Sequence, residues 1–135
     1  MKGFVGIGRS DQVETAINEA TEGLKKAYFL ILVAPFSKLE TAADLLGEKY
    51  PGTPMIGTSG ESIARQLVLN HTILVIGFAG VEVCTGVISD VRTVPVRSMR
   101  SFHADMEAID AGDSDTICLE FMTGSEERVL STVHD

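Results

Sequence analysis

Tyr28-Phe29-Leu30-Ile31-Leu32-Val33 is an unbroken apolar run that Pro35 closes, and Ser37-Lys38-Leu39-Glu40 follows it with serine and glutamate three apart. A run without alternation is what a central parallel strand, buried on both faces, requires. The serine–glutamate spacing has the form of a capping box that opens a helix. Upstream, Phe4 to Gly8 reads as a short strand, and Val13, Ala16, Ile17, Ala20, Leu24 and Ala27 recur on one helical face. Ser10 or Asp11 can cap that helix, with Glu14 three residues past Asp11. Downstream, Leu39, Ala42, Ala43 and Leu46 form the buried stripe of a second helix, Pro51 and Gly52 break it, and Thr53 to Gly57 starts a third strand. The order is β-α-β-α-β, and each crossover is long enough to bring the chain back in parallel.

After Gly60 the pattern changes. Thr72 to Phe78 and Val81 to Ser89 are strand-like around Gly80, which predicts an antiparallel hairpin. Val91 to Val96 extends that sheet along an edge, where Pro95 is tolerated. Ser98 to Ile109 reads as a helix with Phe102, Met106 and Ile109 on one side, and Ala111 to Asp115 as a polar turn. Thr116 to Phe121 reads as a strand, and Thr123-Gly124-Ser125-Glu126 opens a last helix with Val129, Leu130 and Val133 inward. The expected fold class is α/β: a mixed sheet that begins with parallel β-α-β-α-β, followed by an antiparallel hairpin and a β-α end. The 135 residues suit one domain, 1–135, and a helix that stops at Asp135 without a cap reads as part of a longer protein.

Composition narrows the partners. The formal net charge is −8 and no run of lysines or arginines is present, which argues against nucleic acid or an anionic membrane surface. The longest apolar stretches are far too short to span a bilayer, and no signal peptide is visible, so the chain reads as cytoplasmic. Cys84 and Cys118 each lie in an apolar, strand-like run and read as buried small hydrophobes. Three scattered histidines and two scattered cysteines have no metal-ligand spacing, and Asp110, Asp113 and Asp115 lack the calcium-loop pattern. No metal and no cofactor is implied. Arg92, Arg97 and Arg100 form a scattered basic set that reads as surface.

Ligands of open α/β sheets bind beyond the carboxyl ends of the strands. Two loops lie there: Gly6-Ile7-Gly8-Arg9-Ser10-Asp11, and Pro54-Met55-Ile56-Gly57-Thr58-Ser59-Gly60-Glu61. The first lacks the third glycine of a dinucleotide fingerprint, and Asp11 would compete with phosphate for the free amides. It reads as a tight strand-to-helix turn with backbone crowding. The second approaches the nucleophile elbow G-x-S-x-G but has Glu61 in the fifth place, and only His71, His103 and His134 could complete a triad with Ser59. A loop bonded to its own backbone is the simpler reading. Candidate ligand contacts are Arg9, Ser10, Phe36, Thr58, Ser59, Gly60, Thr123 and Gly124, with Val5, Ile31 and Val33 as core beneath. Their amides and hydroxyls suit a carboxylate, which Arg9 could pair.

In order along the chain these landmarks resemble the N-terminal part of the FIST domain (F-box and intracellular signal transduction). The shared features are the Gly6–Asp11 opening before an alanine-rich helix, the Pro51-Gly52-Thr53-Pro54 turn, a small-residue loop after the next strand, and Thr123-Gly124-Ser125-Glu126-Glu127 at a helix start. One departure stands out: the family loop often reads G-C-S-T-A-G-E, and Thr58 occupies the place of its cysteine. The resemblance implies a non-enzymatic sensory input domain of bacterial signal-transduction proteins that binds an amino acid or related metabolite. Output would pass to a domain outside this chain, and a homodimer is left open. Two alternatives stand beside it. One is an interaction or dimerisation module with its crevice filled, using the Thr72–Ser89 hairpin or the last helix as partner surface. The other is an esterase-like hydrolase working through Ser59.

Overall fold

The computed structural model describes residues 1–60, 62–64, 67–87, 95–112 and 114–121. The chain divides into two compact units, Met1–Val83 and Cys84–Asp135. The first holds a four-stranded mixed sheet built from β1 (Lys2–Gly8), β2 (Phe29–Ala34), β3 (Met55–Ser59) and β6 (Ile73–Ala79). Helices α1 (Val13–Ala20) and α2 (Phe36–Lys49) connect β1 to β2 and β2 to β3. A separate two-stranded antiparallel ladder, β4 (Ser62–Ala64) with β5 (Leu67–Leu69), precedes β6 and was not anticipated.

The strand order is β1-β6-β2-β3. The parallel β-α-β-α-β reading holds for strand direction: β2 and β3 pair in parallel, and β1 and β2 each pair antiparallel with β6 and so run the same way. The difference is adjacency, because β6 is inserted between β1 and β2. That insertion also removes the predicted hairpin. Both edges of β6 are already taken, so a strand at Val81–Ser89 has no ladder to join, and residues 81–87 form none; residues 88 and 89 lie outside the described residues.

Register sorts the side chains by face. Gly6, Gly8, Leu30, Leu32, Ala34, Ile73 and Val75 point to the helices, where Ala16, Ile17, Ala20, Ala42 and Leu46 complete the core. Leu30, Leu32, Leu46, Ile73 and Val75 are fully buried, and each contributes on the order of 2 kcal/mol by leaving water. The opposite face carries Val5, Ile7, Ile31, Val33, Leu74, Ile76, and the stacked rings of Phe29 and Phe78, 6.0 Å apart. Ile31 is 6% exposed and Val33 half-buried, but Val5, expected in the core, is 54% exposed because β1 is an edge strand.

Helix α1 approaches β1 closely. A Cβ on Gly6 would fall on the carbonyl oxygen of Ala20, and one on Gly8 on that of Ala16. Two residues of strand advance roughly 6.7 Å and four of helix about 6 Å, so the two glycines meet the two alanines in step. The helix ends at Ala20, short of the apolar stripe that continues to Leu24 and Ala27. Thr21, buried, donates its hydroxyl to the Ile17 carbonyl at 2.7 Å, and Gly23 turns the chain with φ 85°.

Neither expected capping box forms. Gln12 and Pro35 stand at the N-cap positions, with no side-chain cap bond. Pro35 presets the dihedral just before Phe36, so Ser37 is already inside the helix and cannot cap it.

In the second unit, α3 spans Pro95–Ala108. Pro95, expected on an edge strand, is instead the first helical residue, where a missing N–H costs nothing. Residues 91–94 of that expected strand lie outside the described residues. Thr116–Phe121 forms no strand; Ile117, Leu119 and Phe121 are exposed and find no ladder among the described residues. The stretch fails as a strand because alternation alone supplies no neighbour to pair with. Cys84 is half-buried and Cys118 exposed, both free thiols outside any strand, in place of the buried positions expected. The expected last helix, with Thr123 and Gly124, lies outside the described residues.

Candidate functional site

The carboxyl ends of β1, β2 and β3 and the start of β6 meet at one end of the first unit's sheet. Six of the sequence-derived candidates are placed there: Arg9 and Ser10 just past β1, Phe36 just past β2, Thr58 and Ser59 in the last steps of β3, and Gly60 directly after. Thr58 and Ser59 belong to the strand and not to a loop, because Val33 and Ala34 of β2 pair with them.

The amides expected to receive a carboxylate are already engaged. Arg9 and Ser10 donate their backbone N–H groups to the Glu19 carboxylate, at 2.7 and 3.1 Å. Gly60 donates its N–H to the Ala34 carbonyl at 3.1 Å, continuing the β2–β3 ladder by one step. Glu19 thus supplies from α1 the anion that the turn after β1 was read as offering to a ligand. Ser10 Oγ accepts the Gln12 N–H at 3.2 Å, which closes the turn onto the helix. Periodicity hid this role, since Glu19 sits on the exposed face of α1 and reads as ordinary solvated charge.

Side chains are what the site retains for a ligand. Arg9 and Ser59 are exposed, Thr58 is half-buried, and Phe36 is 86% exposed at the start of α2. Thr58 Oγ1 lies 3.4 Å from the Ser59 carbonyl, a long bond within the strand. One residue escaped the sequence reading. Thr72 lies immediately before β6, beyond the Gly8–Ile73 and Val33–Leu74 pairs, and so between the chain leaving β1 and the chain leaving β2. Its Oγ1 is buried without a hydrogen-bond partner. The only sequence signal was position: a hydroxyl residue at the start of a strand that carries an apolar run.

The arrangement does not reproduce a nucleophile elbow. That motif needs a strand-to-helix turn at the serine, whereas Ser59 ends β3 and the two-stranded β4–β5 ladder comes next. Among the described residues, no hydrogen bond links Ser59 to a histidine; His71 is exposed in a left-handed turn with φ 57°. In the second unit, although Cys118 is exposed as a residue, partial desolvation of its sulfur and then the negative charge of Glu120 push the thiol up, which favours its protonated, poorly nucleophilic form. Among the described residues no group of three or more His, Cys, Asp or Glu could hold a metal ion, and no helix is long and apolar enough to cross a membrane.

Compared with known families, residues 27–135 match the FIST N domain. The match covers well over half of the chain. The chain belongs to the FIST N domain family. This is a signalling-associated family, generally non-catalytic, and the resemblance read from the landmarks holds at that level. The FIST N match begins at Ala27, so β1, α1 and the Gly6–Asp11 turn lie before it, while Phe36, Thr58, Ser59, Gly60 and Thr72 lie within it. No curated protein matches the chain.

Proposed function

We propose that this FIST N domain is a non-enzymatic, cytoplasmic input module that binds a small metabolite, an amino acid or a relative of one, and passes the state of that site to an output domain outside this chain. The observation that supports this most is the gathering of Arg9, Phe36, Thr58, Ser59 and Gly60 at the strand ends of a family associated with signalling. An exposed guanidinium suits a carboxylate, hydroxyls suit an amine or carbonyl, and the Phe36 ring offers an apolar wall.

The experiment is a thermal-shift and calorimetric screen of the protein against amino acids and common metabolites. A ligand that raises the melting temperature, and loses affinity when Arg9 is replaced by alanine, supports the reading. No shift with any compound counts against it.

A second reading, an interaction or dimerisation module, draws on Glu19, which fills the turn after β1 from within the chain. It expects light scattering to report a concentration-dependent increase in mass, and no member of the screen to bind.

A further inference from the structure

The Thr72 hydroxyl is unlike the other polar groups at the strand ends. The Arg9, Ser10 and Gly60 amides have carboxylate or carbonyl partners inside the chain. Ser10 Oγ accepts from Gln12, and Thr58 Oγ1 reaches the Ser59 carbonyl. Thr72 Oγ1 alone is buried with no partner among the described residues. An unsatisfied buried hydroxyl costs roughly 1–3 kcal/mol, and such groups call for a reason. Folding supplies none, since valine has nearly the same shape and would fill the position without that cost.

Register shows where it stands. Ile73 pairs with Gly8 and Leu74 with Val33, so Thr72 lies just beyond the last β1–β6 pair on one strand as Arg9 does on the other, at the end where the chain leaves β2 toward Pro35. Alternation places Thr72 on the same face as Leu74, the face turned away from α1 and α2. The residue as a whole is half-buried although its oxygen is not exposed.

We infer that Thr72 is a ligand contact of the strand-end site: a turn about χ1 between staggered rotamers brings its hydroxyl to donate to an oxygen of a small carboxylate that the Arg9 guanidinium, from the end of β1, pairs. The inference rests on the proposed sensing function and deepens it by naming the group recognised. With the amides of the β1–α1 turn held by Glu19, carboxylate recognition falls to these two side chains. A hydroxyl donating to an anion and a guanidinium beside it favour the acid over its neutral carboxamide.

The test uses wild type, Thr72→Val and Thr72→Ser against a panel of L-amino acids, each paired with its carboxamide, by calorimetry and thermal shift. The expected result is that an acid binds and its carboxamide does not. Thr72→Val should weaken that acid roughly tenfold or more, with Thr72→Ser retaining most of the affinity. The ligand-free melting temperature of Thr72→Val should equal or exceed that of wild type, because no bond inside the protein is lost. A lower melting temperature for Thr72→Val without ligand overturns the inference, because the hydroxyl then serves the fold. Equal binding by wild type and Thr72→Val also overturns it, as a hydroxyl bonded only to water would give, and leaves the sensing function standing. Failure of wild type to bind any acid overturns both.

Discussion

The two small-residue stretches at the carboxyl ends of β1 and β3 look alike in sequence and differ in what their glycines do. At β1, Gly6 and Gly8 lie under α1, where any Cβ would strike the carbonyl of Ala20 or Ala16. At β3, a Cβ on Gly57 would make only ordinary contact with Leu39 at 3.5 Å, and one on Gly60 would meet nothing within 4 Å. The first pair exists so that a helix can lie against a strand. The second pair is not demanded by packing, and it sits among the side chains of the candidate site. Glycine at a strand end is therefore no evidence of a binding site until the space around it is known.

The largest expected effect breaks or sustains that contrast directly. Gly8→Val should cost about 3 kcal/mol or more in chemical denaturation, the top of the range for overpacking against a rigid neighbour, because the backbone of α1 must move. Next is Tyr50, a buried side chain after α2 whose hydroxyl donates to the Leu24 carbonyl at 2.7 Å. Tyr50→Phe should cost about 1 kcal/mol.

The same residue carries a pH signature. Burial pushes the Tyr50 phenol above its ordinary 10.0, against a smaller opposing pull from Thr21. The folded protein then holds the proton more tightly than the unfolded chain, so the contribution is complete below pH 10.0 and is lost as pH rises through the folded value. Denaturation midpoints followed across the alkaline range should fall less steeply for Tyr50→Phe than for wild type.

A smaller effect belongs to Glu19→Gln, which keeps an acceptor but removes the charge that holds the Arg9 and Ser10 amides. Both residues are near solvent, so a loss of roughly 0.5–1 kcal/mol is expected, and high salt should shrink it. Smallest is Gly60→Ala, within about 0.5 kcal/mol of wild type. Should Gly60→Ala cost as much as Gly8→Val, the contrast between the two stretches is wrong.

Much of the first unit was legible because its signals are local. The apolar run at residues 28–33 and the stripe at Leu39, Ala42, Ala43 and Leu46 became β2 and α2 within a residue or two. The hairpin at Val81–Ser89 was illegible for the opposite reason. Its pattern is compatible with a strand, and only the insertion of β6 between β1 and β2 leaves it without an edge. Cap chemistry misled as well: Ser37 and Glu40 have the right spacing, but with Pro35 at the N-cap the helix starts two residues too early for Ser37 to cap it. The candidate site was readable as a place, the strand ends, but not as an inventory. Glu19 reaches it across ten residues and Thr72 arrives on a strand more than sixty residues after Arg9, so no window of sequence contains both.

The amino-acid order alone determined the α/β class, the common direction of the first three strands and the family. Those properties follow from periodicity, composition and chain order, which act within a few turns of backbone. The tertiary structure decided which strands touch, which amides stay free and which glycines are packing. Each of these depends on groups distant in sequence competing for the same edge, proton or volume, and that competition is settled only when the chain is folded.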